Sequence, residues 1–424
     1  MPHRNNLPAG SAIAVKLGAR ARTQIERGGL KPADITCVPA AAGGPKGLAL
    51  IPFDQWLFGE WFRSGTHDAA HNPAHNNAHG PVHHAAHNAA HEPTLIGASI
   101  GAWRMAAAAQ QNPVAALAEL SRTYIEDQVY TTHPPPAEVS ALIRLLAQST
   151  FRLDGWQPRA TVPLRVLTAR AAGALHGDAS RTAFARAALD NAAGRARLAR
   201  HLRRVVFSAG AGSQIDAMLQ GTGSGFDAFG AERAVLTAHN AEQALLASGS
   251  IPLLCEPVKQ MAGLSAAGNG GAAAAAPAPA AGAATDVRAH ASDPHDAWYW
   301  DGGLIDYHLF FPYSQLDGLV LYPHFVDHIV PGWLDKFLPW RKEGRGSARS
   351  NDWLSNVILI SPSTTFLRTL PNGKLPDRND FHRYGLDHAR RIKDWKRALA
   401  ECQRFAEQAA AWLQAPDLSI ARAL

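Results

Sequence analysis

Cysteine is scarce: Cys37, Cys255 and Cys402 stand singly in 424 residues. With no CxxC pair, the chain encodes no disulfide framework. That fits a reducing, intracellular compartment. No apolar run is long enough to span a bilayer. The stretch from Met1 to Ala12 lacks the charged, apolar and small-residue order of a secretory signal. These absences lead us to expect a cytoplasmic protein, in contact with a membrane at most peripherally. Base-reading motifs and interleaved aromatics are also missing around the densest basic cluster, Arg195, Arg197, Arg200, Arg203 and Arg204. This argues against a nucleic-acid partner and leaves a solvated helix face as the plain interpretation.

Hydrophobic residues make up 46% of the chain, enough to bury a large core in one big domain or two small ones. A mean hydropathy of −0.15 fits a soluble protein. The net charge of +6 mildly favours anionic partners, such as acidic lipid surfaces.

Two stretches break the globular pattern. From residue 66 to 93 the chain is almost wholly His, Ala, Asn and Pro, with His67, His71, His75, His79, His83, His87 and His91 recurring every fourth position. On a helix these would form one stripe able to take a metal. Pro73 and Pro81 interrupt it and Asn is a poor helix former, so a disordered low-complexity insert is the expectation. Residues 262–297 are rich in Ala, Gly and Pro and cannot offset the entropy of ordering, so a flexible loop is expected there. The whole then reads as one domain over residues 8–420, interrupted by these two inserts.

With both inserts set aside, strands and helices alternate. Ile35 to Ala40, Thr94 to Ala98, Leu164 to Ala169, Val205 to Ser208, Trp298 to Trp300, Leu319 to Tyr322 and Val357 to Ser361 are short apolar runs of strand type. A helix should begin at Pro45, with Pro52 as a kink inside it. Another should cover Ala102 to Gln110. From Asp387 to Leu413 apolar residues recur at helical spacing through Ile392, Trp395, Leu399, Cys402, Phe405, Ala409 and Trp412. This is a core-packing stripe, and it makes Cys402 a buried, inert thiol. Such alternation predicts an α/β fold with a mainly parallel sheet covered on both faces.

Three motifs carry chemistry. Gly97-Ala98-Ser99-Ile100-Gly101 follows a strand and opens a helix, the setting in which GxSxG presents a nucleophilic serine. The helix dipole there favours developing negative charge. Ala42-Gly43-Gly44-Pro45-Lys46-Gly47 suits an oxyanion site, because glycine lets amides approach a substrate and Lys46 adds charge. A phosphate loop is less supported, since neither GxGxxG nor GxxxxGK[ST] is present, and an ordinary turn is the plain alternative. Asp301-Gly302-Gly303 places a carboxylate at the end of a strand, a frequent catalytic position in open α/β sheets. By itself it suits a turn-capping aspartate better than a catalytic one. As a base, the carboxylate would need partial desolvation, which the run Trp298-Tyr299-Trp300 would supply.

In order and spacing, Gly43 to Gly47, Gly97 to Gly101 and Asp301 to Gly303 resemble the patatin-like phospholipase family, whose pattern is G-G-x-[RK]-G, then GxSxG, then D-G-[GA]. Ala244 to Pro252 resembles the helix and turn that precede that aspartate, and the resemblance ends near His308. It implies a three-layer α/β/α sandwich with a mainly parallel central sheet. It also implies a Ser–Asp dyad of Ser99 and Asp301, an oxyanion held at Gly43 and Gly44 near Lys46, and no metal or cofactor. The implied substrates are acyl esters of phospholipids, lysophospholipids or neutral lipids. The chain departs from the pattern in having Ala42 where a third glycine is usual, and Pro45, which lacks an amide donor.

Pro331 to Lys342 mixes Trp333, Phe337 and Trp340 with Lys336, Arg341 and Lys342. This suits either a packed loop over the sheet or a lipid–water interface or lid. Two other functions remain. One is an α/β-hydrolase esterase with a Ser–Asp–His triad, for which His308, His324, His328, His382 and His388 follow Asp301. The other is a non-catalytic metal-binding protein built on the histidine tract.

Overall fold

The computed structural model describes residues 10–63, 92–151, 156, 158–220, 226–259, 261, 297–343 and 348–424. Nearly all of the histidine-rich and alanine-rich stretches, 66–91 and 262–296, lies outside the described residues.

The fold is α/β, with a mixed and mostly parallel central sheet flanked by helices. Its strands are β1 (Ile13–Leu17), β2 (Ile35–Ala40), β3 (Thr94–Ala98), β4 (Leu164–Ala171), β5 (Leu202–Ala209), β6 (Glu232–Val235), β7 (Val258–Lys259), β8 (Trp298–Asp301), β9 (Leu319–Pro323), β10 (Val357–Pro362) and β11 (Ala421–Ala423). The order across the sheet is β11-β1-β10-β9-β2-β3-β4-β5-β6, with β8 also on β4 and β7 on β8. Neighbours from β10 through β9, β2 and β3 to β4 are parallel, whereas β1–β10, β4–β5, β4–β8 and β7–β8 are antiparallel. In β3, β9 and β10 every residue is buried, as continuous apolar runs require when both faces are covered.

All seven anticipated strands are present. The sequence patterns did not single out β1, β6, β7 and β11. The long C-terminal helix runs from His388 to Gln414, with the Asp387 carboxylate accepting from the Arg390 amide at its start. Phe405 on its buried face meets Phe53 edge-on at 5.9 Å. Cys402 on the same stripe is buried, and burial pushes its thiol up to about 12.

The helix expected from Pro45 is three pieces instead. A 3-10 turn spans Gly44–Leu50, an α-helix Ile51–Trp56 and a π-turn Leu57–Trp61. Pro52 lies in the first turn of that α-helix, where its missing N–H costs nothing, so it starts a helix and does not kink one. The arginine cluster is likewise not a solvated helix face. Its helix stops after Arg195–Leu198, and Arg203 and Arg204 are on β5. Arg204 is buried between Asp306 and Asp227. Among the described residues no helix is long and apolar enough to cross a membrane.

Candidate active site

Strand β4 templates the site. Its first half pairs in parallel with β3, ending at Ala98 opposite Leu167. The next residue, Thr168, pairs with Asp301 of the oppositely directed β8. Two strands therefore reach the same edge of β4 from opposite directions and stop at adjoining positions, about one residue rise of ~3.3 Å apart along β4. The chain leaves the sheet as Ser99 on one side and from Asp301 on the other. This brings the Ser99 hydroxyl within hydrogen-bonding reach of the Asp301 carboxyl.

Ser99 has φ 55° and ψ −132°, a strained conformation for a residue with a side chain. It caps the helix Ile100–Ala108. What holds it there is close packing and one hydrogen-bond chain. A Cβ on Gly101 would lie 2.0 Å from the Ala40 carbonyl oxygen, so no larger residue fits. Gly97 is similarly crowded by the start of the helix. The Ser99 amide donates to Ser248 Oγ at 2.9 Å, and that hydroxyl donates to the Leu167 carbonyl at 2.7 Å. Two residues on, the Ser250 carbonyl accepts from the Asp301 amide at 2.9 Å. The segment Ala244 to Pro252 thus fixes both members of the pair, a role that its sequence pattern alone did not disclose.

Asp301 is buried, and burial raises its carboxyl to about 6. Opposing this are the Ser99 hydroxyl beside it, the hydrogen bond from the Gly303 amide (2.7 Å to Oδ1) and the nearby Arg378 charge. The turn after it is tight: a Cβ on Gly302 would lie 2.3 Å from the Leu167 carbonyl oxygen, and one on Gly303 2.7 Å from Ala42 Cβ. Of the aromatic run, Tyr299 shares the face of Asp301 and is buried in the main core, whereas Trp298 and Trp300 do not share that face. Alternation along β8 turns Trp300 to the opposite face from Asp301, where it packs against Phe184 in a separate core.

The glycine loop completes one wall of a pocket of about 160 Å³ that also contains Ser99 and Asp301. Gly43, Gly44 and Lys46 all line it. The Ala42 amide is taken by the Tyr307 carbonyl at 2.8 Å. Among the described residues, neither the Gly43 nor the Gly44 amide donates to a backbone acceptor outside helices and strands. The loop is tied to the elbow behind it. Asp54 and Arg104, on the helices that follow the loop and the serine, form a fully buried two-bonded ion pair at 2.7 and 2.8 Å. Burial lowers Lys46, the neighbouring Asp377 opposes that, and Lys374 adds to it.

The opposite wall comes from one segment that no sequence pattern marked and from part of the aromatic and basic stretch 331–342. The loop around Asp377, Arg378 and Asn379 and the 3-10 turn Trp333–Phe337 both line the pocket. Arg378 stands over the glycine loop: a Cβ on Gly44 would be 3.6 Å from its Nη2 and 3.9 Å from the Tyr124 hydroxyl. The 3-10 turn is anchored by Asp335, which is buried and accepts from Asn191 (2.9 Å), Arg195 (2.9 Å) and Arg341 (2.6 Å). Of the three aromatics expected to face a membrane, Trp333 is half-buried and lines the pocket, because the anchored turn points it inward. Phe337 and Trp340 are 66% and 75% exposed.

Among the described residues no histidine lines the pocket. His308 and His324 are buried, accept backbone amides from Val330 and Val326 through Nδ1, and burial lowers both pKa values. His328 pairs with Asp327, and His388 meets the Tyr130 carbonyl.

No protein-family model, curated protein or solved structure matches the chain.

Proposed function

We propose that this protein is a serine acyl-ester hydrolase of the patatin-like kind, with Ser99 as nucleophile and Asp301 as its base. The observation that carries this reading is the meeting of β3 and β8 on one edge of β4, which sets a strained helix-capping serine against a buried carboxyl. A sheet flanked by helices is compatible with the three-layer sandwich of that family.

In the proposed reaction, Ser99 Oγ attacks the acyl carbonyl and Asp301 takes its proton. A carboxylate is ordinarily a weak base, and raising it to about 6 makes it a stronger one while leaving it ionised at neutral pH. The tetrahedral oxyanion is received by the amides of Gly43 and Gly44, with Lys46 adding positive charge. Pro45 contributes none. Asp301 returns the proton to the departing alcohol. Water, deprotonated by the same carboxyl, then releases the acid from the acyl-serine. The substrate class is an acyl ester of a lipid, met at an interface through Phe337 and Trp340, whose exposed rings sit beside Lys336 and Arg341.

A triad is less supported, because the five candidate histidines do not reach the pocket. Hydrolysis of a short chromogenic ester tests the proposal. Wild type should turn it over, Ser99→Ala and Asp301→Asn should not, and His308→Gln should remain active. Full activity in Ser99→Ala would refute the reading.

A further inference from the structure

The wall facing the dyad carries more positive charge than the fold consumes. Lys46, Lys336 and Arg378 all line the pocket, and none of them forms a salt bridge among the described residues. Two acidic residues line it as well: Asp301 lies within electrostatic range of Arg378, and Asp377, which acts on Lys46, makes its close contacts with Lys374 at 2.8 Å and the Asn379 amide at 2.9 Å. The three cations act on one another. Lys336 is lowered to about 8 by burial and by the Arg378 and Lys46 charges. Its ammonium is held over the rings of Trp333 and Phe337 at 4.2 and 4.8 Å, which position a cation without neutralising it. Lys46 lies 5.9 Å from the Phe325 ring centre in the same manner. Of the four fully buried arginines that do not line the pocket, Arg104, Arg165 and Arg204 each have a carboxylate partner, and Arg391 bonds the Gln128 carbonyl instead. Converging cations without a salt-bridge partner repel one another in a small cleft, and a bound anion relieves that repulsion.

We propose that Lys336 and Arg378, with Lys46 beside them, form a subsite for an anionic oxyacid group of the substrate, a phosphate or a carboxylate. This rests on the hydrolase reading and narrows it: the preferred substrate is an acyl ester carrying negative charge close to the scissile carbonyl, not a neutral glyceride. The guanidinium of Arg378 offers a planar fork to two oxygens of such a group, and the Lys336 ammonium a mobile point charge to a third. Arg378 also lies within electrostatic range of Asp301, so the anion and the reacting ester share one small volume.

A matched pair of substrates in mixed micelles tests this: 1-oleoylglycerol 3-phosphate and 1-oleoylglycerol, which differ only in the phosphate. Wild type should favour the phosphorylated ester in kcat/KM. The ratio should fall about 10- to 100-fold in Lys336→Met and in Arg378→Gln, through KM, and return in Lys336→Arg. Should Arg378→Gln not fold, the two Lys336 variants still decide the matter. A wild-type ratio near one that Lys336→Met leaves unchanged overturns the subsite while the hydrolase reading stands. Hydrolysis of neither ester, with no labelling of Ser99 by a fluorophosphonate, removes the hydrolase reading itself. Free phosphate is tested by thermal shift. A Tm rise in inorganic phosphate that the double variant Lys336→Met/Arg378→Gln abolishes supports the site. The same rise without any preference between the two esters makes it a free-phosphate site and overturns the substrate assignment.

Discussion

One wall of the pocket is made of strand ends and tight turns, at residues 42–47, 97–101 and 301–303. The other is made of side chains, Trp333, Lys336 and Arg378, carried on a 3-10 turn and a loop. The first presents backbone amides, a hydroxyl and a carboxyl whose places follow from the pairing of β3 and β8 with β4. The second presents charge, and the turn that carries Lys336 is held by the buried Asp335 with its two arginines. The lesson is a division of labour. On the proposed reading, bond-making needs a geometry that only the sheet can hold, whereas selecting a substrate needs charge of one sign, which a side-chain layer can supply and alter without touching the sheet.

The sharpest way to break this contrast is on the sheet side. Ser99→Ala and Asp301→Asn should each lower kcat for any ester by about 10³- to 10⁴-fold or more, because nucleophile and base act as one unit. Steady-state kinetics on a soluble ester checks this, and an effect limited to one substrate would put the dyad on the wrong wall. Next in size is the brace behind it. Asp54→Ala leaves Arg104 buried without its counter-ion and should destabilise the fold by about 3–5 kcal/mol in urea unfolding. A change below about 1 kcal/mol would mean the two helices do not depend on that pair.

A third effect is in pH. The base must be ionised, and its carboxyl lies near 6. As pH falls through that value the proton is retained, so kcat/KM should decline about tenfold per unit below 6 and be level just above it. A profile flat to pH 4 would contradict the assignment. The smallest expected effect is at the outer rim of the side-chain wall. Phe337→Ser/Trp340→Ser should weaken co-sedimentation with anionic phosphatidylglycerol vesicles by roughly tenfold. Unchanged sedimentation would leave those rings without a role.

The same contrast explains what the sequence disclosed. A nucleophile elbow leaves a local signature, since Gly101 packs on the Ala40 carbonyl and Gly302 on that of Leu167, and no other residue fits. Apolar runs such as Val357–Pro362 and the stripe of His388–Gln414 are long enough to give their period away. Strands β7 and β11 have two and three residues, too few for any period, and exist because a neighbour offers an edge. Arg378 carries no local signal either, and the stretch that holds Lys336 showed its mixture of aromatic and basic residues but not the cleft it faces. Their convergence on Ser99 is purely tertiary, and a lone basic residue in a loop reads the same whether it faces solvent or a cleft. Arg195 and Arg204 erred in the other direction: they look like surface charge, yet close buried ion pairs with Asp335 and Asp306.

The central claim is that Ser99 is activated at the edge of β4, and labelling with a fluorophosphonate followed by peptide mapping tests it most directly. Wild type should be modified on the peptide containing Ser99, more slowly below pH 6, and Ser99→Ala should remain unmodified. Equal modification of the two proteins, or a label mapped to another residue, would contradict it.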